Sequence, residues 1–244
     1  MALDSSRLHP GSFHLLPAVA VLLTACSNLA ETGGSVARLE ILSPVSPVLE
    51  VQDTQRLIAR AYDQDDVEVP ATIQWLTADT TVAIDNSGLV TGVFSGSADI
   101  RARLDEFVSN SIRFTIIPRP DTLVLVGEDT VRVLATEDTS SALVSRLDTF
   151  VGGDTLPANG GKIIYEVVAP TFADPAQRTV ELTGQVLIDT VTTSGAGTPS
   201  VQVFLSRVGL PSPDSAIVEI RAFRAQGTES VPGSGQRFVV RFDP

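Results

Sequence analysis

The residue types that most often perform chemistry are concentrated at the beginning of this chain. Both histidines, His9 and His14, and the only cysteine, Cys26, precede residue 27 of the 244. The rest of the sequence therefore cannot supply a Ser-His-Asp triad, a Cys-His pair or a zinc site built from histidine and cysteine. Hydrolysis by a carboxylate pair stays formally open, since Asp and Glu are plentiful, but these residues are scattered over strand faces and turns where a solvated role is expected.

Two other stretches contain residue types that could bind a ligand. Gly160-Gly161-Lys162-Ile163 lacks the upstream glycine spacing and the following Ser or Thr of a phosphate-binding loop. The acidic loop Asp63–Asp66 could offer oxygen ligands to Ca²⁺, but it lacks the glycine and the distal glutamate of an EF-hand loop, so a solvated turn is favoured. We expect no catalytic residue, no metal site and no cofactor, and hence a protein that is not an enzyme.

Composition narrows the classes of partner. The formal net charge is −12 and Lys162 is the only lysine, so the clustered positive charge that nucleic acid or anionic lipid requires is missing. Hydrophobic residues make up 43% of the chain, which is enough for a packed core. A chain of 244 residues has room for one large domain or two small ones.

Residues 1–25 are interpreted as a signal peptide. Residues 1–12 are polar with one positive side chain, Arg7, and residues 13–25 form an apolar run. That run is shorter than the roughly 20 residues that span a bilayer and has the length of a signal-peptide core. We therefore expect a protein that is exported from the cytoplasm.

The end of this signal resembles a bacterial lipobox. It reads Leu23-Thr24-Ala25-Cys26, with small residues before the cysteine. The resemblance implies that lipid is attached to the thiol of Cys26 and that the peptide is cut before it; an ordinary signal peptide with a chance cysteine is the alternative. Several acyl chains hold a protein durably on a membrane. Ser27 in place of Asp favours the outer membrane, where there is one, and residues 26–35 are predicted to be a flexible tether.

Residues 36–117 are predicted to form short strands separated by tight turns. Thr54–Asp63 alternates with Leu57, Ala59 and Ala61 on one face, which is the pattern of a half-buried strand. Trp75 lies on another alternating strand and is interpreted as a core anchor, with stacking on a sugar ring as the alternative. About seven short strands in this length predict a β-sandwich.

The stretch from Trp75 to Ala102 resembles a known family. It contains Val82-Ala83-Ile84-Asp85, Ser87-Gly88-Leu89-Val90-Thr91-Gly92 and Gly96-Ser97-Ala98-Asp99-Ile100-Arg101-Ala102. On these motifs residues 36–117 resemble a bacterial Ig-like domain of group 2, although Asp65-Asp66 replaces a common glycine and Asp99 a common threonine. The resemblance implies a fold without a catalytic site of its own, and a core signature at Trp75, Val82, Ile84, Gly88, Val90, Gly92, Gly96 and Ile100.

Residues 118–244 are predicted to form a second sandwich. Pro118-Arg119-Pro120 marks a stiff boundary. Beyond it, strands are predicted at Ala142–Leu147 and Ala216–Ala222, and Val180, Leu182, Val186 and Ile188 share a parity that Gly184 interrupts as a bulge. The fold class is therefore all-β: two tandem Ig-like antiparallel β-sandwiches after a signal peptide, of which the second resembles Ig-like modules only loosely.

These expectations lead to two functions of different kinds. The first is a lipid-anchored cell-envelope protein that displays Ig-like domains as a non-catalytic binding or adhesion module. The second is a structural spacer or an envelope assembly partner without a ligand of its own. The expected partners are the membrane, through lipid on Cys26, and an envelope protein or a polysaccharide, since sheet edges can accept a partner strand.

Overall fold

The computed structural model of this chain describes residues 35–244, except residues 45, 210 and 212. Regular structure in this part of the chain is almost entirely β-strand, and the helical element that it contains is the single 3₁₀ turn Pro175–Gln177. The prediction of an all-β fold is confirmed. None of the described helical structure is long and apolar enough to cross a membrane.

The first group of strands, which we call the N-terminal region, lies between residues 38 and 117. Its strands are β1 Arg38–Ile41, β2 Val48–Glu50, β3 Thr54–Arg56, β4 Ala59–Tyr62, β5 Glu68–Val69, β6 Gln74–Thr77, β7 Val82–Ile84, β8 Leu89–Gly92, β9 Gly96–Leu104, β10 Phe107–Val108 and β11 Ile112–Ile117. They pair as β1-β4-β5, as β3-β8-β7 and as β10-β9-β11-β2, with β6 also on β9.

The second group, the C-terminal region, lies between residues 122 and 242. Its strands are β12 Thr122–Leu125, β13 Thr130–Val133, β14 Ser145–Val151, β15 Asp154–Pro157, β16 Lys162–Ala169, β17 Val180–Leu182, β18 Ile188–Ser194, β19 Thr198–Pro199, β20 Leu205–Arg207, β21 Ser215–Ala222 and β22 Gln236–Phe242. They pair as β12-β14-β15, as β13-β22-β21-β16-β18-β19 and as β17-β20.

The same strand arrangement closes both regions. In each one an early strand runs parallel to the last strand: Val48 of β2 lies opposite Thr115 of β11, and Thr130 of β13 opposite Val239 of β22. The other pairs are antiparallel, as predicted for Ig-like sandwiches. Short strands that return to the sheet edge in this way cover edges that would otherwise be open.

Alternating side chains fill two separate cores. Ala98, Ile100 and Ala102 of β9 are buried in the first, and Ala216, Val218, Ile220 and Ala222 of β21 in the second. The two clusters lie on either side of Pro118-Arg119-Pro120, but all described residues belong to one compact unit. The division into domains at 36–117 and 118–244 therefore stays a prediction.

Three predicted strands have different bounds. Thr54–Asp63 is two strands, because the chain leaves β8 after Arg56 and joins β1 from Ala59, while Leu57 is buried between them. The strand predicted at Ala142–Leu147 begins later, at Ser145. Gly184 does not form a bulge: the Leu182 N–H donates to the Val186 carbonyl, so the chain reverses there, and Val186 and Ile188 are exposed.

Candidate functional site

The residue with the strongest predicted function, Cys26, lies outside the described residues, as does the rest of the signal and most of the tether. Lipid attachment at Cys26 therefore stays a prediction. The part of the chain that the structure describes includes the whole of the predicted core signature and the acidic loop, together with surfaces that sequence patterns did not single out.

The core signature residues lie on two sheets of the N-terminal region, and their apolar side chains belong to its core cluster. Val82, Val90 and Ile100 are buried, and Ile84 and Trp75 pack against them from the edge. The three glycines, Gly88, Gly92 and Gly96, lie where backbone or side chains approach closely.

Gly88 shows why a glycine is needed in this turn. Its φ is +80°, and a Cβ there would lie 2.7 Å from the Leu57 carbonyl oxygen and 2.8 Å from Cζ2 of Trp75. The turn before it is built by Asp85, whose Oδ1 accepts hydrogen bonds from the N–H groups of Ser87 and Leu89. The hydroxyl of Ser87 also donates to that carboxylate, and these bonds lower the pKa of Asp85.

Trp75 is partly buried rather than enclosed. It lines an open groove of about 480 Å³ together with Arg56, Ile58, Ile73 and Asn86. Ile58, which the alternating pattern placed on the face opposite Leu57, is exposed in this groove. The indole therefore packs against the edge of the core and exposes part of its surface to the groove. The alternative, that it stacks on a sugar ring, stays a prediction.

In the acidic loop, the Asp63 carboxylate is hydrogen-bonded to backbone N–H groups of the same loop. Oδ1 of Asp63 accepts hydrogen bonds from the N–H groups of Asp65 and Val67, and Asp66 forms an ion pair with Arg38. In residues 35–244, apart from the three that are not described, no group of three acidic, histidine or cysteine side chains is placed to hold a metal ion. The loop is arranged as a hydrogen-bonded turn.

An exposed apolar hairpin protrudes from the C-terminal region. Two adjacent glycines in the sequence predict a turn here, and Gly152 and Gly153, with φ values of +62° and +95°, join β14 to β15. Beside this turn Phe150 is 57% exposed, Val151 55% and Leu156 46%. Asp121 holds the hairpin close to its turn, because its carboxylate accepts a hydrogen bond from the Phe150 N–H at 2.7 Å.

This hairpin forms one wall of a cleft of about 560 Å³, which we call the hairpin cleft. The opposite wall comes from Val51, Gln52 and Ser95 of the N-terminal region, and Pro118 and Arg119 lie between the two walls. The cleft therefore depends on how the two regions are held together. The sequence predicted the turn, but alternation alone did not reveal that the apolar side chains of this hairpin stay uncovered.

The two regions meet at a junction centred on Glu50, the last residue of β2. Its side chain is 1% exposed, and Oε1 accepts a hydrogen bond from the Ala225 N–H at 2.7 Å. Arg224 Nη1 lies 3.7 Å from Oε2 and donates to the Pro120 carbonyl. The Gln226 side chain donates to the Val48 carbonyl at 2.7 Å, so the loop after β21 is fastened to β2 at several points.

Glu50 is poorly compensated for a buried acid. Its Oε2 makes no hydrogen bond to any described residue. Burial raises the pKa of the Glu50 carboxyl above its ordinary value, although the Ala225 N–H and Arg224 act in the opposite direction. The sequence contained one signal for this site, since Glu50 is a charged residue among the apolar residues Val48, Leu49 and Val51. The pattern did not indicate which residue would pair with it.

Three buried hydroxyl groups of the C-terminal region are hydrogen-bonded within its core. The Ser145 hydroxyl and the Tyr165 hydroxyl are 2.5 Å apart, and the Thr193 hydroxyl donates to the Ala158 carbonyl. Desolvation raises the pKa of Tyr165 to about 12. Neither Ser145 nor Tyr165 lines the hairpin cleft, the groove at Trp75 or the cleft beside Glu50. A role in holding strands together is therefore favoured.

Comparison with known proteins gives partial likenesses to solved structures. No family model and no curated protein matches the chain. The Yersinia pseudotuberculosis adhesin InvE is 17% identical with a TM-score of 0.40, over 84% of this chain and 58% of that one. The Escherichia coli adhesin FdeC is 11% identical with a TM-score of 0.39, over 85% of this chain and 64% of that one.

Domains 4 and 5 of the S-layer protein SbsC are 14% identical to the chain with a TM-score of 0.31, over 86% of this chain and 99% of that one. The chain spans less than two thirds of the length of either adhesin structure. The fold of this protein is accordingly assigned from its own strand pairing and its two buried clusters.

Proposed function

We propose that this protein is a non-catalytic binding or adhesion module of the bacterial cell envelope, anchored by lipid on Cys26. The proposal includes an N-terminal Ig-like domain of group 2 and a location in the outer membrane. The single observation that carries the binding role is the hairpin cleft. It combines exposed apolar side chains with a position between the two regions, which suits an envelope protein as the partner.

Three uncovered apolar side chains within one hairpin require an explanation: Val151 and Leu156 share one face of it, and Phe150 lies on the other. Phe150, Val151 and Leu156 expose about half of their side chains within one hairpin. Scattered apolar residues are normal on a protein surface, whereas contiguous ones typically mark a binding site. A hairpin edge can in addition pair with a strand from a partner.

A structural spacer is the second candidate, and the junction favours it. The contacts of Glu50, Arg224 and Gln226 fix one sandwich against the other. A fixed orientation serves a spacer as well as a binder. The two functions differ in whether the hairpin cleft has an occupant, which makes that cleft the place to test.

The binding role can be tested by placing a photo-crosslinking amino acid at Phe150 in cells. We expect a crosslinked product of defined mass, because the side chain would be covered by the partner. The matched control places the same amino acid at Leu134, which is 54% exposed and does not line the hairpin cleft. Products that are absent from both positions, or the same at both, would favour the spacer.

The anchor can be tested by labelling cells with a radioactive fatty acid. We expect label in the wild type and in Ser27→Ala, and no label in Cys26→Ala. Fractionation of the labelled membranes by density then distinguishes the outer from the inner membrane. Equal labelling of wild type and Cys26→Ala would exclude lipid attachment at this cysteine.

A further inference from the structure

A buried carboxylate connects the two regions of this protein. Glu50 belongs to the N-terminal region, but its hydrogen-bond donor, Ala225, and its nearest cation, Arg224, belong to the C-terminal region. Carboxylates are seldom fully buried unless they are well paired. Any change in the charge of Glu50 therefore acts on the contact between the two regions.

The groups around Glu50 compensate its negative charge incompletely. On its own region Asp53 adds a negative charge, and on the linker Arg119 adds a positive one. Arg224 contributes from the loop after β21, but its Nη1 is 3.7 Å from Oε2 and it also serves the Pro120 carbonyl. Oε2 itself is hydrogen-bonded to none of the described residues.

A cleft lies beside this carboxylate, but its free oxygen is enclosed. Glu50 lines a cleft of about 230 Å³ between the two regions, with Ile117 and Phe223 beside it and Lys162 on β16. Oε2 is enclosed in the observed arrangement. A small separation of the two regions would open it to the cleft, and hydration would then stabilise the ionised carboxylate.

We propose that Glu50 is a proton-controlled latch, which holds the junction closed while it is protonated and lets the junction open when it is ionised. The Ala225 hydrogen bond and the Gln226 contact to Val48 define the closed form. In the open form the carboxylate is hydrated from the cleft. The hairpin cleft has walls from both regions, so its shape changes with the junction.

The direction of the pH dependence follows from the burial of Glu50. In the closed junction its pKa is raised above 4.5, the ordinary value for a glutamate. Closing therefore takes up a proton at a pH where a hydrated glutamate has already lost one. The closed form is fully favoured below that ordinary value and loses its advantage as the pH rises through the raised pKa.

Hydrogen exchange of the Ala225 amide tests the latch directly. The rates would be measured by mass spectrometry on the detergent-solubilised full chain, near pH 5 and near pH 8, and divided by the chemical exchange rates of unstructured peptides. We expect opening to increase several-fold in the wild type between these two values, because the closed junction disfavours the ionised carboxylate. In Glu50→Gln, which cannot ionise, the corrected rate should be the same at both values.

Three variants separate the latch from simple loosening. Glu229→Gln removes an exposed carboxylate of the same loop and should keep the wild-type increase. Gln226→Ala removes a contact that does not titrate, so it should raise opening by the same factor at both values. Asp53→Asn removes a neighbouring negative charge that raises the pKa of Glu50, so the increase in opening should be smaller than in the wild type. This variant keeps the test valid even if Glu50→Gln does not fold.

Two outcomes would overturn the proposal. One is a wild-type Ala225 amide whose corrected exchange does not change with pH. The other is a Glu50→Gln chain that folds and still opens with rising pH, which would assign the effect to a different group.

Discussion

The N-terminal and C-terminal regions share a strand arrangement but use their buried polar groups differently. In the C-terminal region the hydroxyls of Ser145 and Tyr165 pair inside the core. In the N-terminal region Glu50, a fully buried acid, faces the neighbouring region and keeps one oxygen without a hydrogen bond to any described residue. A satisfied internal pair stabilises its own core, whereas a partly satisfied group at a boundary makes the contact depend on conditions.

The largest effect that tests this comparison comes from the two cores. Phe114 and Phe238 are both buried, one in each cluster. Replacing either by alanine should lower the free energy of unfolding of its own region by about 3–5 kcal/mol, because the lost burial leaves a cavity. Urea unfolding followed by Trp75 fluorescence and by circular dichroism measures the two separately, since the tryptophan lies in the N-terminal region.

Independent regions would respond independently. Phe238→Ala should then leave the fluorescence transition of Trp75 in place and shift only part of the dichroism signal. If instead either substitution shifts both signals together, the regions unfold as one cooperative unit, and the predicted division at 118 does not separate folding units.

Much of the fold could be predicted because the alternation of apolar and polar residues along a strand indicates which side chains are buried. The alternation of small and apolar residues in β9 predicts that Ala98, Ile100 and Ala102 face inward, and they do, since β9 is paired along most of its length. Alternation does not show which neighbour a strand pairs with. It therefore predicts one strand over Thr54–Asp63, although the chain passes from one sheet to another at Leu57. The prediction of one strand with a bulge at Gly184 was wrong for a related reason. A tight reversal keeps the two-residue spacing of the apolar side chains, but the residues after it lie on a different face.

An intermediate loss in the free energy of unfolding is expected at Gly88, where the backbone of the N-terminal region lies close to Trp75. Gly88→Ala combines a positive φ with a Cβ that would be 2.7 Å from the Leu57 carbonyl oxygen, so it should lower the free energy of unfolding by about 3 kcal/mol. Gly152→Ala in the hairpin turn has a similar φ but open space, and about 1 kcal/mol is expected. Equal losses in urea unfolding would show that conformation alone explains both.

The candidate site was less predictable than the fold because it depends on contacts across the boundary. Glu50 lies 175 residues from the Ala225 amide that it binds. Its neighbours Val48 and Leu49 predict only a strand, and no spacing rule relates them to the loop after β21. The same holds for the hairpin cleft, whose walls come from segments that a sequence pattern cannot bring together.

A smaller effect should come from the internal pair of the C-terminal region. Tyr165→Phe leaves the buried Ser145 hydroxyl without its partner and should lower the free energy of unfolding by about 2 kcal/mol. Adding Ser145→Ala to it should recover much of this loss, because no polar group is then left unpaired. A double variant that is as unstable as the sum of the single ones would contradict this explanation.

The same tyrosine gives the C-terminal region an alkaline limit. Its pKa is raised from 10.0 to about 12 by desolvation, so the folded protein retains a proton that the unfolded chain loses. Stability present below pH 10.0 should therefore decline as the pH rises towards about 12. Tyr165→Phe should lack this part of the decline, which urea unfolding across that interval would measure.

The smallest difference is expected between two cross-strand ion pairs, one in each region. Arg60 and Glu68 occupy diagonal positions, whereas Arg237 and the partly buried Glu219 lie directly opposite each other. Arg60 lies 3.3 Å from Glu68 in the N-terminal region, and Arg237 lies 2.9 Å from Glu219 in the C-terminal region. Because solvent and salt screen such pairs, a double-mutant cycle to alanine should give a coupling of about 0.5 kcal/mol or less for each. Both couplings should fall further in high salt. A coupling above about 1 kcal/mol in one region alone would mean that surface charge, and not only buried polar groups, distinguishes the two.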